Sequence, residues 1–128
     1  MKRMTRQLPL LLLTCLTVIS QPARADIMLL IHGYLGDAGS WEVSGVNDEL
    51  QRLGWQRAGM FQGSMQGPQL FVTEHENDDN LVYVATLPSE MPVMVQADVL
   101  KRIIDRVQLQ HPDKQLILVG HSAGGVVA

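Results

Sequence analysis

Three short segments of this chain are apolar along their whole length rather than at every second position: Ile27–Ile31, Leu81–Ala85 and Leu116–Val119. Such runs read as strands covered on both faces, as in a parallel sheet. The segments between them carry helical spacing instead. Val46–Leu53 is a short amphipathic stretch, and Gly54 is placed to stop it. Pro92 suits the first turn of a longer helix. Within that helix Val93, Ala97, Leu100, Ile104 and Val107 recur three or four residues apart, which predicts one buried face. Gln96, Asp98, Lys101, Arg102, Asp105 and Arg106 fall on the other sides. His111-Pro112 ends the helix, because the residue before a proline is pushed out of the helical region. The order β-α-β-α-β predicts an α/β fold with a parallel sheet and flanking helices.

Two stretches stand outside this pattern. Residues 56–80 are rich in Gly, Gln and Met and turn acidic at Glu74–Asp79, so they are expected to form a long loop or an insertion. The acidic run has calcium-ligand chemistry without the spacing of an EF-hand loop, and reads as a solvated segment. His75 within it is expected to be exposed rather than a metal ligand. No other segment has metal-site spacing and none has a Gly-rich phosphate loop, so neither metal nor cofactor is expected.

Residues 1–25 follow a different logic. Lys2, Arg3 and Arg6 make a basic start, Leu8–Ile19 is mostly apolar but short for a bilayer, and Ala23-Arg24-Ala25 offers a small-x-small cleavage site. This is the pattern of a secretory signal peptide cleaved before Asp26, which predicts an exported protein, periplasmic or secreted. Cys15 lacks the surroundings of a lipoprotein cysteine, since Thr14 precedes it and the apolar stretch continues past it.

Charge changes the picture once that segment is set aside. The whole chain carries a formal −3, with 10 basic and 13 acidic residues. Four of the basic residues lie in 1–25 and every acidic one lies after it, so residues 26–128 hold 6 basic against 13 acidic, a formal −7. That argues against a nucleic-acid or anionic-membrane partner held by electrostatics. The lone cysteine also falls in 1–25, so residues 26–128 contain no disulfide and depend on packing.

Candidate chemistry sits at the ends of two of the apolar runs. Leu116–Val119 leads into Gly120-His121-Ser122-Ala123-Gly124-Gly125, a Gly-x-Ser-x-Gly between a strand and a candidate helix. A serine on so sharp a turn has its Oγ exposed for attack, and Gly120 and Gly124 keep the close backbones free of side chains. Ile27–Ile31 leads into His32-Gly33-Tyr34-Leu35-Gly36, a strand end followed by a Gly-containing loop with free N–H groups. Donors aimed at a developing oxyanion are usually the largest catalytic contribution in acyl transfer. Tyr34 N–H and Ala123 N–H are the expected pair, one from each loop. His32 is expected to orient its loop through hydrogen bonds rather than act as a base. Trp41 and Trp55 read as packing residues beside the first helix.

Leu29–Gly36, the following Trp41 and Gly120–Gly125 resemble the α/β-hydrolase superfamily, and within it secreted bacterial serine lipases and esterases with a His-Gly-x oxyanion loop. The resemblance covers most of residues 27–128. It implies that Ser122 is the nucleophile, that Tyr34 and Ala123 donate to the oxyanion, and that Gly33, Gly120, His121 and Gly124 support the turn. It also implies that Ile27–Ile31 lies between the other two strands. The expected partner is a small-molecule or lipid ester, with peripheral contact to lipid surfaces.

One departure accompanies the match. In this superfamily the triad runs Ser, then Asp or Glu, then His along the chain. Only residues 123–128 follow Ser122, so the acid and the histidine are not in this chain. His121 is adjacent to the serine and points away from it, His111 closes a helix at the far edge of the sheet, and His75 lies in the acidic stretch. The chain is therefore expected to be the N-terminal part of a hydrolase with little or no turnover alone. Two other readings stand beside this one: a non-catalytic hydrolase-like remnant or binding domain, and thioester, amide or acyl-transfer chemistry on the same fold.

Overall fold

A computed structural model describes residues 26–128. The signal-peptide reading of 1–25 lies outside the described residues. Strands β1 (Asp26–Ile31), β2 (Gln56–Gln62), β3 (Gln69–Val72), β4 (Leu81–Thr86) and β5 (Gln115–Gly120) form one five-stranded sheet in the order β3-β2-β4-β1-β5. β2, β4, β1 and β5 run parallel, and β3 pairs antiparallel with β2 at one edge. β1 lies between β4 and β5, where the resemblance puts it. The chain thus adopts an α/β fold with a mostly parallel sheet flanked by helices.

Residues 56–80, expected to form a long loop or an insertion, contain two strands, β2 and β3, joined by a hairpin turn. β2 escapes a simple hydrophobic reading because its register against β4 shifts between Arg57 and Gly59, which breaks the two-residue alternation. β3 is an edge strand with Gln69, Phe71 and Val72 all exposed, so burial leaves no pattern in it. Only the hairpin turn and the segment after β3 remain irregular.

α3 (Val93–Gln110) covers one face of the sheet. Its Val99, Leu100, Ile103 and Val107 pack with Ile27, Leu29 and Ile31 of β1, Tyr83 and Ala85 of β4, and Phe61 of β2. The buried stripe is rotated from the expected one. Val93 is exposed, Ala97 and Ile104 only border the core, and Gln96 is buried. Gln96 tolerates burial because its Nε2 donates to Met91 O at 2.7 Å and Ser89 O at 3.3 Å, tying the helix to the loop that enters it.

The other face is covered by α1 (Ser40–Val43) and α2 (Val46–Arg52). Gly54, with φ 93°, ends this hairpin as the sequence predicts, and Trp55 N–H then donates to Leu50 O at 2.9 Å. Arg57 of β2 fastens the two helices to the sheet. It donates to both carboxylate oxygens of Glu42 (3.0 and 2.9 Å), to Asp48 (2.6 Å) and to Gln51. These bonds raise the Arg57 guanidinium further above its ordinary range and hold the Glu42 carboxyl below its own, chiefly through the Arg57–Glu42 contact. Among the described residues no helix is long and apolar enough to cross a membrane.

Candidate active site

Both loops carrying candidate chemistry leave the same edge of the sheet from neighbouring strands. β1 and β5 pair in register from Asp26↔Gln115 to Ile31↔Gly120. One further bond, His121 N–H to Ile31 O at 3.0 Å, carries the ladder a residue past the strand. The chain then turns sharply. Gly124 N–H donates to His121 O (2.9 Å) and Gly125 N–H to Ser122 O (3.0 Å) as α4 (Gly124–Val127) begins.

Ser122 sits at the centre of this turn with φ 53°, in the left-handed region. A serine held there is strained by about 1–2 kcal/mol. Leu35, in the facing loop with φ 57°, is the other non-glycine residue in that region among the described residues. The turn closes only because of its glycines. A Cβ on Gly120 would lie 2.5 Å from Gly125 N, and one on Gly124 would lie 2.6 Å from Ile31 O. Gly33 is the matching point on the other loop, where a Cβ would come within 3.2 Å of both His121 Nδ1 and the Ser122 Cβ.

His32 is buried and has both ring nitrogens occupied. Leu87 N–H donates to Nε2 at 2.8 Å, so Nδ1 carries the proton and donates to Gly33 O at 2.7 Å. The ring thereby links the end of β1 to the segment after β4 and fixes the Gly33 carbonyl. With both nitrogens committed, it has none to offer as a base. Gly36 N–H donates back to Gly33 O at 3.1 Å and closes the loop. Tyr34 and Leu35 project at its tip, 64% and 66% exposed.

What this edge leaves unpaired is as specific as what it pairs. Among the described residues, the Tyr34 N–H, the Ala123 N–H and the Ser122 hydroxyl have no hydrogen-bond partner. A cavity of about 390 Å³ opens beside them, lined by the 32–36 loop, His121 and Ser122 on one side and by Ser40, Trp41, Ser44 and Val46 on the other. His121 packs edge-on against Trp41, with ring centroids 6.4 Å apart at 84°. Sequence reasoning gave Trp41 a packing role and missed that it borders this cavity, because 80 positions of chain separate it from His121.

The other two histidines are elsewhere. His111 follows α3 and its Nε2 accepts from the Tyr83 hydroxyl at 2.9 Å; burial pushes its pKa down. His75 is half-buried, where the sequence suggested exposure. Its Nδ1 faces Thr73 O at 2.9 Å and its Nε2 faces Asp78 at 3.1 Å, and these two acceptors, the carbonyl first, raise its pKa. Among the described residues no group of three His, Cys, Asp or Glu side chains is placed to hold a metal ion.

No family model and no curated protein matches the sequence. Among solved structures the chain is similar to the crystal structure of the gene lin2722 product of Listeria innocua, with a TM-score of 0.68 at 17% identity. The match covers 80% of this chain and 42% of that one, so the likeness is one of fold and this chain spans less than half of its neighbour's length.

Proposed function

We propose that Ser122 is the nucleophile of a serine hydrolase of the α/β-hydrolase type, acting on carboxylic esters as esterases and lipases do. One observation carries this reading. A serine is held in a strained left-handed turn at the carboxyl end of a parallel strand, with two unpaired backbone N–H groups on the loops beside it. That is the arrangement acyl transfer requires.

In the proposed reaction Ser122 Oγ attacks the ester carbonyl carbon and gives up its proton to a base. The carbonyl oxygen becomes an oxyanion, which accepts from Tyr34 N–H and Ala123 N–H. The alcohol departs with the proton and leaves an acyl-serine, which water then cleaves to release the acid. His32 holds the Tyr34 loop at the right height without exchanging protons. No described side chain hydrogen-bonds to Ser122 Oγ, so this reading takes the histidine base and its carboxylate from outside the described residues. The acidic balance of residues 26–128 favours an uncharged ester, soluble or at a lipid surface, over a nucleic acid, and the leader-like residues 1–25 accord with export.

A fluorophosphonate probe tests the proposal. The chain is expected to label slowly, on Ser122, with little turnover of p-nitrophenyl butyrate. Labelling that persists in Ser122→Ala, or none after prolonged exposure to excess probe, overturns it.

A further inference from the structure

The cavity beside Ser122 has two unlike walls. One is built from the elbow and the 32–36 loop, and carries His32, Tyr34, Leu35 and His121 beside Gly33, Gly36 and Ser122. The other comes from α1 and the start of α2, and of its four residues only Trp41 is large; Ser40, Ser44 and Val46 are small. On the α1–α2 side the indole is therefore the one bulky group bounding the roughly 390 Å³ cavity. It is held in place. The Trp41 ring rests on His121, its backbone N–H donates to Ala38 O at 3.3 Å, and its carbonyl accepts from Ser44 Oγ at 3.3 Å. The indole Nε1 is buried and has no acceptor among the described residues. A buried donor without an acceptor destabilises the fold, so hydrogen bonding does not account for tryptophan at this position, whereas its bulk does.

Charge narrows the ligand further. No Lys, Arg, Asp or Glu lines the cavity, and the nitrogens of His32 are both engaged. An anionic group would enter without a Lys or Arg counter-ion.

We propose that Trp41 limits the size of the group admitted beside Ser122, so that the site takes a compact, uncharged, largely apolar chain such as a short acyl group and excludes long or anionic ones. The inference rests on Ser122 as the reacting residue and adds the class of substrate to that reading.

A thiol in place of the serine hydroxyl measures the cavity without help from a triad. In Ser122→Cys on a Cys15→Ser background, alkyl methanethiosulfonates of increasing chain length are reacted with the single thiol. The introduced thiolate attacks the sulfenyl sulfur, a disulfide forms, methanesulfinate leaves, and the thiol proton passes to buffer. Rates are normalised to those of a small free thiol. The normalised rate is expected to fall roughly tenfold or more between butyl and decyl reagents, the scale on which an apolar pocket separates ligands by size. Adding Trp41→Ala is expected to abolish that fall, Trp41→Phe to reduce it, and a carboxylate-bearing reagent to react slowly throughout. A chain-length profile that is the same with and without the indole overturns the proposal. If Trp41→Ala loses its fold by circular dichroism, Trp41→Phe decides: an unshifted cut-off counts against the indole as the wall. Failure of the serine reading shows separately, as absent or Ser122-independent phosphonate labelling of the unmodified chain.

Discussion

The two edges of the parallel sheet treat their polar groups in opposite ways. At the amino edge, titratable residues are dense: His75, Asp78, Asp79, Tyr83, His111 and Lys114. Most of their polar atoms are engaged with each other or with the backbone. His75 uses both ring nitrogens, Tyr83 donates to His111, Lys114 Nζ donates to Asp79 O at 3.0 Å, and Asn80 accepts from Asp26 N–H at 3.1 Å. A cavity of about 540 Å³ borders this region, larger than the one at Ser122, but its Gln56, Arg57 and His75 are likewise engaged. At the carboxyl edge, which carries His32, Tyr34, Asp37 and His121, the atoms without a hydrogen-bond partner among the described residues include the Ser122 hydroxyl, the Trp41 Nε1 and two backbone N–H groups beside a strained turn. At the amino edge ionisable residues serve as fastenings; the proposed chemistry lies where donors are left without acceptors and strain is held in place.

That contrast breaks first, and most severely, at Gly124. Gly124→Ala drives a methyl into the Ile31 carbonyl, and is expected to cost about 3 kcal/mol in urea denaturation and to abolish phosphonate labelling. Ser122→Gly should separate stability from chemistry: relief of the left-handed turn is expected to raise stability by about 1 kcal/mol while labelling disappears. If it is instead destabilising, the turn at Ser122 is not a store of strain. Arg57→Met removes the fastening of α1 and α2, and should cost about 1–2 kcal/mol without moving labelling far, because none of its hydrogen-bond partners lines the cavity at Ser122.

The smallest effect is the pH dependence of the amino edge, and its sign differs between the two histidines. The folded pKa of His75 is raised, so its contribution is full below the unfolded value near 6.5 and is lost as pH rises through the folded one. The folded pKa of His111 is lowered, so its contribution is full above about 6.5 and is lost as pH falls through that value toward the folded one. Stability is expected to peak between the two folded values. In thermal melts across pH, His75→Asn should flatten the alkaline side and His111→Asn the acid side; any other pairing of variant with side refutes the assignment.

The sequence was most legible where burial and conformation impose a residue type. β1 and β4 are apolar on both faces because they lie inside the sheet, whereas β5, expected to be covered on both faces, is an edge strand whose Leu118 is exposed; Gly120 and Gly124 stand where a side chain has no room. It was least legible where those constraints lapse. Gln69–Val72 is an edge strand open to solvent, so nothing in its composition is forced. Gln56–Gln62 is bulged, so its alternation loses phase. The stripe on α3 was misjudged at Gln96, a polar residue whose burial is made tolerable by carbonyls five and seven positions earlier, a pairing no periodicity reveals. The loops of the candidate site were readable singly, while the meeting of Trp41 with His121 depends on the whole sheet assembling between them.

The rung Ile31↔Gly120, with the extra bond from His121 to Ile31, has a consequence for how such a chain can diverge. The two halves of the candidate site, Tyr34 and Ser122, are 88 residues apart along the chain and one strand apart in space. Their alignment is set by the β1–β5 register, in which a slip of one residue would turn Ser122 to the opposite face. It is not set by the length of anything between. The segments joining β1 to β5 can therefore lengthen, shorten or exchange while the serine keeps its place. Sequence likeness can drain from most of such a chain while its geometry persists, as in the 17% identity shared with a neighbour of the same fold.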